Sequence, residues 1–499
     1  MLPTTEQSKI IEAVKDGKSI LINAAAGAAK TTTLLMIAES VPKSALYLTF
    51  NKVMSEEAKE KFPEYVDVST WHSLAYRECG YKLKHKLRRP KGAYKNVLST
   101  GGEIAREFKL KNLVFGDKYL SAAALGYAIK QTLARFEYSD DYVIKNKHIS
   151  HDVISKFSKN GEIIKSFPLE EYNNIVLSGA IKLWKKRIDP EDDTIIAHDT
   201  YLKLFQLSNP IFDQYDIIYS DESQDSSDVM IDILKKQSGC QVVVVGDKNQ
   251  QIYAFRGSVN AMGKFPHLDT YSLTKSFRFG ESVGDVASVV TGSEVNGWEE
   301  LSTEVVTHVK EVDPMGSTFI YRTNMALLFD ACEFISKGYS VNIENDVKRL
   351  GSILQSALSL RSGNKRFVKA EELSPYNNWE EFEEDCKNQK GELNQILNIV
   401  RSGRAMEVIG IASSYKKSAS PDIIMTTAHK SKGMEWDRVI LAEDFPEPEV
   451  GDDGAILLKG EERNLLYVAL TRGKRLLKLN TLAESLVGER GMSLEGAAQ

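Results

Sequence analysis

Short apolar runs rich in β-branched residues recur along the chain and alternate with stretches of helical pattern. Each run is bounded by turn residues, as strands usually are. Strands that are apolar throughout and are separated by helices predict parallel sheets that are covered on both faces. The runs lie at residues 19–23, 45–50, 215–221, 241–245, 317–321, 422–427 and 438–442. The sequence therefore predicts an α/β protein.

Two long intervals interrupt this alternation, near residues 80–200 and 335–415, and both are rich in lysine, glutamate and helical pattern. We interpret them as mainly helical insertions into two sheet-based cores, for which a chain of 499 residues has ample room. The first core is expected at residues 1–80 and 200–275, with 81–199 as its insertion. The second is expected at residues 276–335 and 416–485, with the shorter insertion 336–415, and residues 486–499 are expected to form a flexible tail.

The first run leads into the string Ala24-Ala-Ala-Gly-Ala-Ala-Lys-Thr-Thr, after which a helical pattern begins. A strand, a turn of small residues and Lys-Thr at a helix start are the layout of a phosphate-binding loop, where backbone N–H groups and the helix dipole meet the anion. Lys30 would then reach the β- and γ-phosphates, and Thr31 would bind Mg²⁺. Ala29 replaces the glycine that normally precedes the lysine, so the loop alone is equally compatible with chance. The residues that would cradle the nucleotide are Ala26, Gly27, Ala28, Ala29, Lys30, Thr31 and Thr32.

Adjacent carboxylates follow the run at 215–221, in the string Asp221-Glu222-Ser-Gln-Asp225. Carboxylates at the end of a strand suit Mg²⁺-assisted hydrolysis: Asp221 can hold the metal through water while Glu222 polarises the attacking water. The alternative is a capping box for the next helix. That alternative explains acidic residues there but does not explain why the same chain also contains Lys30 and Thr31 after a strand. Together the two motifs predict Mg²⁺-assisted hydrolysis of a nucleotide.

The run at 241–245 opens into a polar and aromatic loop that extends to Gly257. Gln250 is placed to sense the γ-phosphate, and Tyr253 and Phe255 could stack on unpaired bases, at ~1–3 kcal/mol per base. One loop would then contact both ligands. The alternative for the two aromatic residues is ordinary packing in a core.

In this order the motifs resemble those of superfamily 1 helicases of the UvrD, Rep and PcrA type, and their wording is most similar to the F-box DNA helicase branch. Gln7 in Thr4-Thr-Glu-Gln is similar to the motif that reads the adenine edge. Thr49-Phe-Asn-Lys and Ser69-Thr-Trp-His-Ser resemble the strand-contacting motifs Ia and Ib. The resemblance implies two RecA-like parallel-sheet cores, with nucleic-acid contacts from Phe50, Asn51, Lys52, Trp71, His72, Tyr253, Phe255 and Arg256 on the first.

The second half of the chain resembles the remaining motifs. In Ser276-Phe-Arg-Phe-Gly, similar to motif IV, Phe277 would stack on adenine and Arg278 would contact the γ-phosphate. In Thr426-Thr-Ala-His-Lys-Ser-Lys-Gly-Met-Glu-Trp, similar to motif V, His429 would contact nucleic acid and Glu435 the ribose. In Leu465-Leu-Tyr-Val-Ala-Leu-Thr-Arg-Gly, similar to motif VI, Arg472 would complete the phosphate clamp. Hydrolysis would then require the two cores to close on ATP.

The resemblance implies an ATP-dependent DNA helicase that moves 3′ to 5′ along single-stranded DNA and couples hydrolysis to strand separation. Its expected partners are single-stranded DNA and single/double-strand junctions, on which it would act as a monomer, with replication, recombination or nuclease proteins as further candidates. Two alternatives stay open: a translocase that strips bound proteins with little unwinding, and a weakly hydrolysing ATP-gated nucleic-acid-binding protein, suggested by Ala29. RNA is less favoured, because nothing in the sequence indicates recognition of a 2′-OH.

Departures from the family pattern limit what is carried over. Ala25 also stands where many relatives have glycine, and Thr32 replaces an arginine that stacks on adenine in UvrD-type enzymes. The second insertion is much shorter than the regulatory sub-domain of those enzymes. Rules for their partners and autoinhibition are therefore not transferred.

Charge and composition are compatible with this hypothesis. The net charge is −5, but a local basic groove on an acidic body suffices for a motor that must release its track. The densest basic cluster is Lys82, Lys84, His85, Lys86, Arg88, Arg89, Lys91 and Lys95, which could line such a groove or form a solvated loop. The four cysteines are widely spaced, which argues against a disulfide framework or a zinc site. Without an export signal or an apolar stretch of ~18 residues, an intracellular protein without a membrane segment is expected.

Overall fold

The computed structural model describes residues 2–87, 97–159, 162–252, 261–388, 392–447, 449–450, 456–458 and 460–489. Within these ranges the chain forms two six-stranded sheets, and all neighbouring strands of both sheets run parallel. The predicted α/β class, with two parallel-sheet cores, is confirmed.

The first sheet has the spatial order β6-β1-β5-β4-β2-β3, where the strands are β1 (Ile20–Ala24), β2 (Ala45–Thr49), β3 (Val66–Thr70), β4 (Ile217–Ser220), β5 (Gln241–Gly246) and β6 (Asp269–Leu273). Successive side chains of a strand enter different hydrophobic clusters: in β5, Val243 and Val245 belong to one and Val242 and Val244 to the other. Both faces are therefore covered, which explains why these strands are apolar at nearly every position. Because the strands are parallel, the carboxyl ends of β1, β4 and β5 meet at one edge of the sheet.

Helices of the first half surround this sheet or belong to the first insertion: α1 (Thr5–Lys15), α2 (Lys30–Ser40), α3 (Lys52–Lys61), α4 (Trp71–Ala75), α5 (Gly101–Glu107), α6 (Ala122–Tyr138), α7 (Leu169–Ile188), α8 (His198–Leu207) and α9 (Asp228–Lys235). Helix α4 continues through a π-helical turn into a 3₁₀ helix that ends at Leu87. Helices α5, α6 and α7 form a hydrophobic cluster of their own with the hairpin of Leu113–Phe115 and Lys118–Leu120. The first insertion therefore has an independent core.

The second sheet has the order β7-β12-β11-β8-β10-β9, where the strands are β7 (Glu304–Val306), β8 (Ser317–Tyr321), β9 (Val341–Ile343), β10 (Ile423–Thr427), β11 (Trp436–Leu441) and β12 (Gly473–Lys478). Its helices are α10 (Glu281–Thr291), α11 (Asn324–Ser336), α12 (Val347–Arg361), α13 (Trp379–Asn388), α14 (Glu392–Arg401), α15 (Ala405–Ser414), α16 (Ala428–Ser431), α17 (Gly460–Leu470) and α18 (Thr481–Glu489). No helix in the described ranges combines the length and the apolar character needed to cross a membrane.

The second insertion packs differently from the first. The apolar residues of α12 to α15 share one hydrophobic cluster with α11 and with one face of the second sheet. The interval 336–415 also supplies the edge strand β9. This insertion is thus continuous with the second sheet instead of enclosing a separate core.

The two cores are joined by a shared hydrophobic cluster. It contains Ile22 and Val245 of the first sheet, Val439 of the second, Val283 of α10 and the buried run 465–470 of α17. Helix α17 therefore lies where the two sheets face each other. This placement brings the end of motif VI next to the first core.

All seven predicted strands are present, with ends that differ from the predicted ones by at most two residues. Five further strands of the two six-stranded sheets, β3, β6, β7, β9 and β12, were not predicted, and neither were the strands of the small two-stranded sheets. The tail was expected to begin at residue 486, but α18 continues to Glu489, and residues 490–499 lie outside the described ranges.

A glycine is required where α6 crosses α5. A Cβ atom at Gly126 would overlap the backbone of Gly101. We expect Gly126→Ala to lower the unfolding free energy by about 1–3 kcal/mol, because the two helices must separate to admit the methyl group. Urea unfolding followed by circular dichroism measures this change. Gly102→Ala is the matched control, since a methyl group there meets no atom within 4 Å; an equal loss in both variants would contradict the packing argument.

Candidate nucleotide site and nucleic-acid contacts

The phosphate-binding loop connects β1 to α2 at the carboxyl edge of the first sheet. Ala29 is the N-cap residue of α2 and has φ +58°. Its methyl side chain makes no capping hydrogen bond to the helix. The first N–H groups of a helix have no partner within the helix, and the helix dipole adds positive charge there. An anion is therefore the ligand that fits this helix start.

The loop approaches the second core so closely that only glycine fits at position 27. Gly27 has φ +73°, and a Cβ there would lie 2.6 Å from Ser276 Oγ and 2.7 Å from Arg278 Cβ. Its carbonyl accepts a hydrogen bond of 2.9 Å from the N–H of Phe277. The start of motif IV is thus docked on the phosphate-binding loop through backbone atoms.

The predicted catalytic residues of the first core lie together. Lys30 Nζ is 3.2 Å from Glu222 Oε1 in a largely buried ion pair. The Thr31 hydroxyl donates to Asp221 Oδ2 at 3.3 Å, and the Tyr47 hydroxyl donates to the same oxygen at 2.5 Å. The hydroxyl and carboxylate that were predicted to hold Mg²⁺ are therefore adjacent.

Burial and the charges of neighbouring groups shift the pKa values of these groups in different directions. Burial opposes the charge on Lys30, but the surrounding carboxylates, above all Glu222, hold the pKa of Lys30 above its usual value. Burial also opposes the charge on Glu222, but Lys30 and Lys432 hold the pKa of Glu222 below its usual value. Burial and the neighbouring Glu222 raise the pKa of Asp221. Glu222 is thus the carboxylate that is held ionised.

Glu222 belongs to a hydrogen-bond network that reaches the end of β5. Its backbone is left-handed, with φ +51°, and its Oε2 accepts from Gln224 Nε2 at 2.5 Å. Gln224 Oε1 accepts from the N–H of Asp247 at 3.0 Å, and Asp247 Oδ2 accepts from Gln250 Nε2 at 2.9 Å. Gln250, which is buried, is therefore connected through Asp247 and Gln224 to Glu222, the carboxylate that follows β4.

The two predicted arginines of the second core have different surroundings. Arg278 donates to Glu435 Oε2 at 2.8 Å. Arg472 is 1% exposed and donates to the carbonyls of Val468 and Met434 and to the hydroxyl of Thr471. Among the described residues no carboxylate lies within ion-pair distance of Arg472. It is therefore a buried cation without a charged partner in that part of the chain.

The residues predicted on the adenine side are partly engaged in local structure. Gln7 completes a capping box with Thr4 at the start of α1, and its Nε2 donates to Thr33 Oγ1 at 2.9 Å. Phe277 is half-buried and packs edge-to-face on Trp298, with ring centroids 5.7 Å apart. Thr32 is exposed. Gln7 thereby contacts the helix that begins at the phosphate-binding loop.

The predicted nucleic-acid residues of the first core are only partly exposed. Phe50 is half-buried at the end of β2, Asn51 caps α3, and Lys52 is exposed and pairs with Glu56. Trp71 is only 2% exposed and packs in the core under the sheet. The structure therefore does not bring the Trp71 indole to a surface where a base could stack.

Other predicted contacts are distributed as follows. The His72 ring lies 3.2 Å from Asp199. His429 is on α16, where burial and then Arg322 lower the pKa of His429 to about 4. It is therefore neutral at neutral pH and would contact nucleic acid by a hydrogen bond instead of a charge. Tyr253, Phe255 and Arg256 lie outside the described residues.

The described residues of the basic cluster have different surroundings. Lys86 is 1% exposed and donates to the carbonyls of Lys186 and Asp189, which ties it to the end of α7. Lys84 lies over the ring of Tyr81, 4.2 Å from its centroid. Lys82, Lys84 and His85 are exposed, whereas Arg88, Arg89, Lys91 and Lys95 lie outside the described residues. Lys86 is thus a structural residue, not part of a solvated surface.

Metal ions in proteins are commonly held by clusters of His, Cys, Asp and Glu side chains. In the described part of the chain, no group of three or more such residues could hold a metal ion. Cys79, Cys240, Cys332 and Cys386 are free thiols. Thr31 and Asp221 fit Mg²⁺, because it usually keeps several water ligands and takes others from phosphates.

Several residues of the site were not singled out from the sequence. Tyr47, Gln224 and Asp247 complete the network on the first core, and Lys432 and Tyr467 reach it from the second. Lys432 and Tyr467 stand within motifs V and VI, which was the signal available for them. Their partners could not be read from spacing, because they lie some two hundred residues or more away in the chain.

The left-handed backbone at Ala29 predicts a stabilising substitution. A Cβ is disfavoured at positive φ, so we expect Ala29→Gly to raise the unfolding free energy by about 1 kcal/mol. Thermal unfolding of the two proteins measures the difference. Ala28→Gly is the control, because no positive φ occurs at Ala28 and glycine there should destabilise; a destabilised Ala29→Gly protein would refute the assignment of strain.

Comparison with known proteins agrees with this geometry. A family model described as the UvrD-like helicase C-terminal domain matches residues 118–484. The chain is 31% identical to F-box DNA helicase 1 of Gallus gallus over 98% of its own length and 50% of that protein. It is 30% identical to F-box DNA helicase protein 1 of Schizosaccharomyces pombe over 96% of its own length and 57% of that protein. The chain thus spans about half the length of the curated relatives it matches. It belongs to the UvrD-like helicases of superfamily 1, in the branch of the F-box DNA helicases.

Proposed function

We propose that this chain is the motor of an ATP-dependent DNA helicase that acts inside the cell and moves 3′ to 5′ along single-stranded DNA. The observation that carries the proposal is the division of one buried site between two cores. Lys30 and Glu222 lie on the first core, and Arg278 and Arg472 lie on the second. A site divided in this way converts hydrolysis into a change in how the cores are held together. The direction of movement rests on the family resemblance alone.

The chain's residues divide the chemistry of hydrolysis among them. Lys30 and the N–H groups at the start of α2 would hold the phosphates, and Thr31 and Asp221 would hold Mg²⁺, which neutralises phosphate charge. Glu222, the carboxylate held ionised, would orient the attacking water. Arg278 and Arg472 would supply planar cationic donors for the charge that develops on the transferred phosphoryl group.

Two functional groups of the site start in contact, and this contact gives hydrolysis an order of events. Lys30 and Glu222 form an ion pair. Phosphate that engages Lys30 competes with Glu222 for the same ammonium group, so binding releases the carboxylate for its task. Glu222 then remains connected to Gln250 through Gln224 and Asp247.

Single-stranded DNA would lie along the carboxyl ends of both sheets. Phe50, Asn51 and Lys52 follow β2, and His429 follows β10 in the second core. Contacts to both cores let a change in their separation move the strand. Single/double-strand junctions would be the substrate for unwinding.

A second candidate function is an ATP-gated nucleic-acid-binding protein that hydrolyses slowly. The positive φ of Ala29 favours it, because a Cβ projects from the loop at the position where relatives have glycine. A translocase that strips bound proteins with little unwinding uses the same site, and strong ATPase without strand separation would identify it.

Replacing Glu222 tests the assignment of hydrolysis. We expect Glu222→Gln to lower the DNA-stimulated ATPase rate roughly a hundredfold or more, because the amide cannot activate water, while binding of single-stranded DNA is retained. Phosphate release with and without DNA measures this. Glu170→Gln, on an exposed turn of α7, should leave the rate unchanged. A low wild-type rate that Glu222→Gln does not change would favour the slow-hydrolysis alternative.

Tailed duplexes test the direction. With ATP and Mg²⁺, a duplex with a 3′ single-stranded tail should be unwound, whereas the same duplex with a 5′ tail should not. Release of a fluorescent strand gives the rate, and ATP replaced by a non-hydrolysable analogue is the control. Preferential unwinding of the 5′-tailed duplex would refute the 3′ to 5′ assignment.

A further inference from the structure

Tyr467 of α17 is a fully buried side chain whose hydroxyl enters the first core. Its exposure is 0%. The hydroxyl accepts a hydrogen bond of 2.9 Å from the N–H of Ala26 in the phosphate-binding loop. It donates a hydrogen bond of 3.1 Å to Asp247 Oδ2 after β5. One oxygen atom of the second core therefore joins two separate elements of the first.

The hydrogen bonds continue from Asp247 to the residue predicted to sense the γ-phosphate. Asp247 Oδ2 accepts from both the Tyr467 hydroxyl and Gln250 Nε2. The Tyr467 hydroxyl thus fixes the carboxylate that orients the Gln250 amide. Phenylalanine at position 467 would keep the ring packing but would lose both bonds.

Two more side chains of the second core hold the backbone that carries Gln250. Lys432 Nζ donates to the carbonyl of Gln250 at 2.6 Å and pairs with Asp225. Asn464 Nδ2 donates to the carbonyl of Gln251 at 2.8 Å. Asn464 and Tyr467 are three residues apart, so they lie on the same face of α17. The segment 247–251 is therefore held from the second core at three points.

We propose that Tyr467 is a positioning residue for ATP hydrolysis. When the two cores are together, its hydroxyl holds both the phosphate-binding loop and, through Asp247, the Gln250 side chain in place. The proposal rests on the proposed ATPase function. The Tyr467 hydroxyl bonds to two polar groups of the first core, and the hydrophobic packing of α17 cannot replace these bonds. A core that moves away withdraws one hydroxyl and thereby frees Ala26 and Asp247 together, so the loop and the sensing residue lose their positions in a single event.

Tyr467→Phe and Tyr172→Phe form a matched pair for the test. Tyr172 is also 0% exposed, and its hydroxyl donates to the carbonyl of Ser150, but it lies in the core of the first insertion. Each substitution removes one buried, hydrogen-bonded hydroxyl. The measurements are kcat and KM for ATP with single-stranded DNA, the melting temperature, and hydrogen exchange of peptides covering residues 24–31 and 247–252.

For Tyr467→Phe we expect kcat to fall about tenfold or more, because Gln250 is misplaced, and KM for ATP to rise, because the phosphate-binding loop loses its bond to the second core. Exchange should rise in both peptides, although they are far apart in the chain. Tyr172→Phe should retain kcat and leave both peptides protected, whatever its melting temperature.

Three outcomes overturn the proposal: an unchanged kcat in Tyr467→Phe, an equal fall in Tyr172→Phe, or exchange that rises in one peptide only. Failure of the proposed function has a different signature. A wild-type protein without DNA-stimulated ATPase contradicts the ATPase assignment, and the exchange of the two peptides then decides by itself whether Tyr467 links them.

Discussion

The backbone contact between the phosphate-binding loop and the second core determines how the rest of the site is arranged. The carbonyl of Gly27 accepts from the N–H of Phe277, and the N–H of Ala26 donates to Tyr467. These bonds use main-chain atoms of the loop, so they require the close approach that only a glycine at position 27 permits. The loop thus binds the second core with one set of backbone atoms and leaves the start of α2 for the anion.

Two of the five non-glycine residues with positive φ in the described chain lie where this arrangement meets the carboxylates. Ala29 and Glu222 both have left-handed backbone, and they belong to the loop and to the end of β4, which face each other across the Lys30–Glu222 ion pair. Such conformations cost of order 1–3 kcal/mol each and persist only where surrounding contacts impose them. For Glu222 the contacts are Lys30 and Gln224. The side chain proposed to orient the attacking water is therefore carried by strained backbone, and the contacts that impose the strain are themselves part of the site.

The sequence predicted the interiors of both sheets better than their edges. The seven apolar strands were recognised because both of their faces are buried. Of the five strands missed in the two six-stranded sheets, β3, β6, β7 and β9 are the outer strands, where one side is not paired and polar residues are tolerated. The fifth, β12, is an inner strand that begins Gly-Lys-Arg, so its pattern indicated a surface segment. Local motifs predicted Lys30, Thr31, Asp221 and Glu222, whose spacing follows from strand and helix geometry.

Contacts between distant segments had no comparable signal. Nothing in the order of residues indicates that Tyr467 meets Ala26, or that the indole of Trp71 is buried while the neighbouring His72 is not. Lys86 shows the same limit for charge: it stands in a basic run but is buried against backbone carbonyls. Burial depends on how the folded chain packs. A sequence pattern predicts burial only where apolar residues recur with the period of a strand or a helix.

The cations of the site are mostly paired with carboxylates of the chain itself, which reconciles an acidic protein with anionic ligands. Lys30 pairs with Glu222 and Arg278 with Glu435. A buried cation without a partner is expensive, so these pairs keep the site stable while a phosphate can still displace the carboxylate. When a phosphate binds, the cation would exchange its carboxylate partner for the phosphate. The net binding free energy is then smaller than it would be for an unpaired cation. A smaller gain favours release, which the proposed motor function would require in every cycle. Glu222 adds a further consequence to the proposed mechanism, because the carboxylate that a phosphate would displace from Lys30 is the one proposed to orient the attacking water.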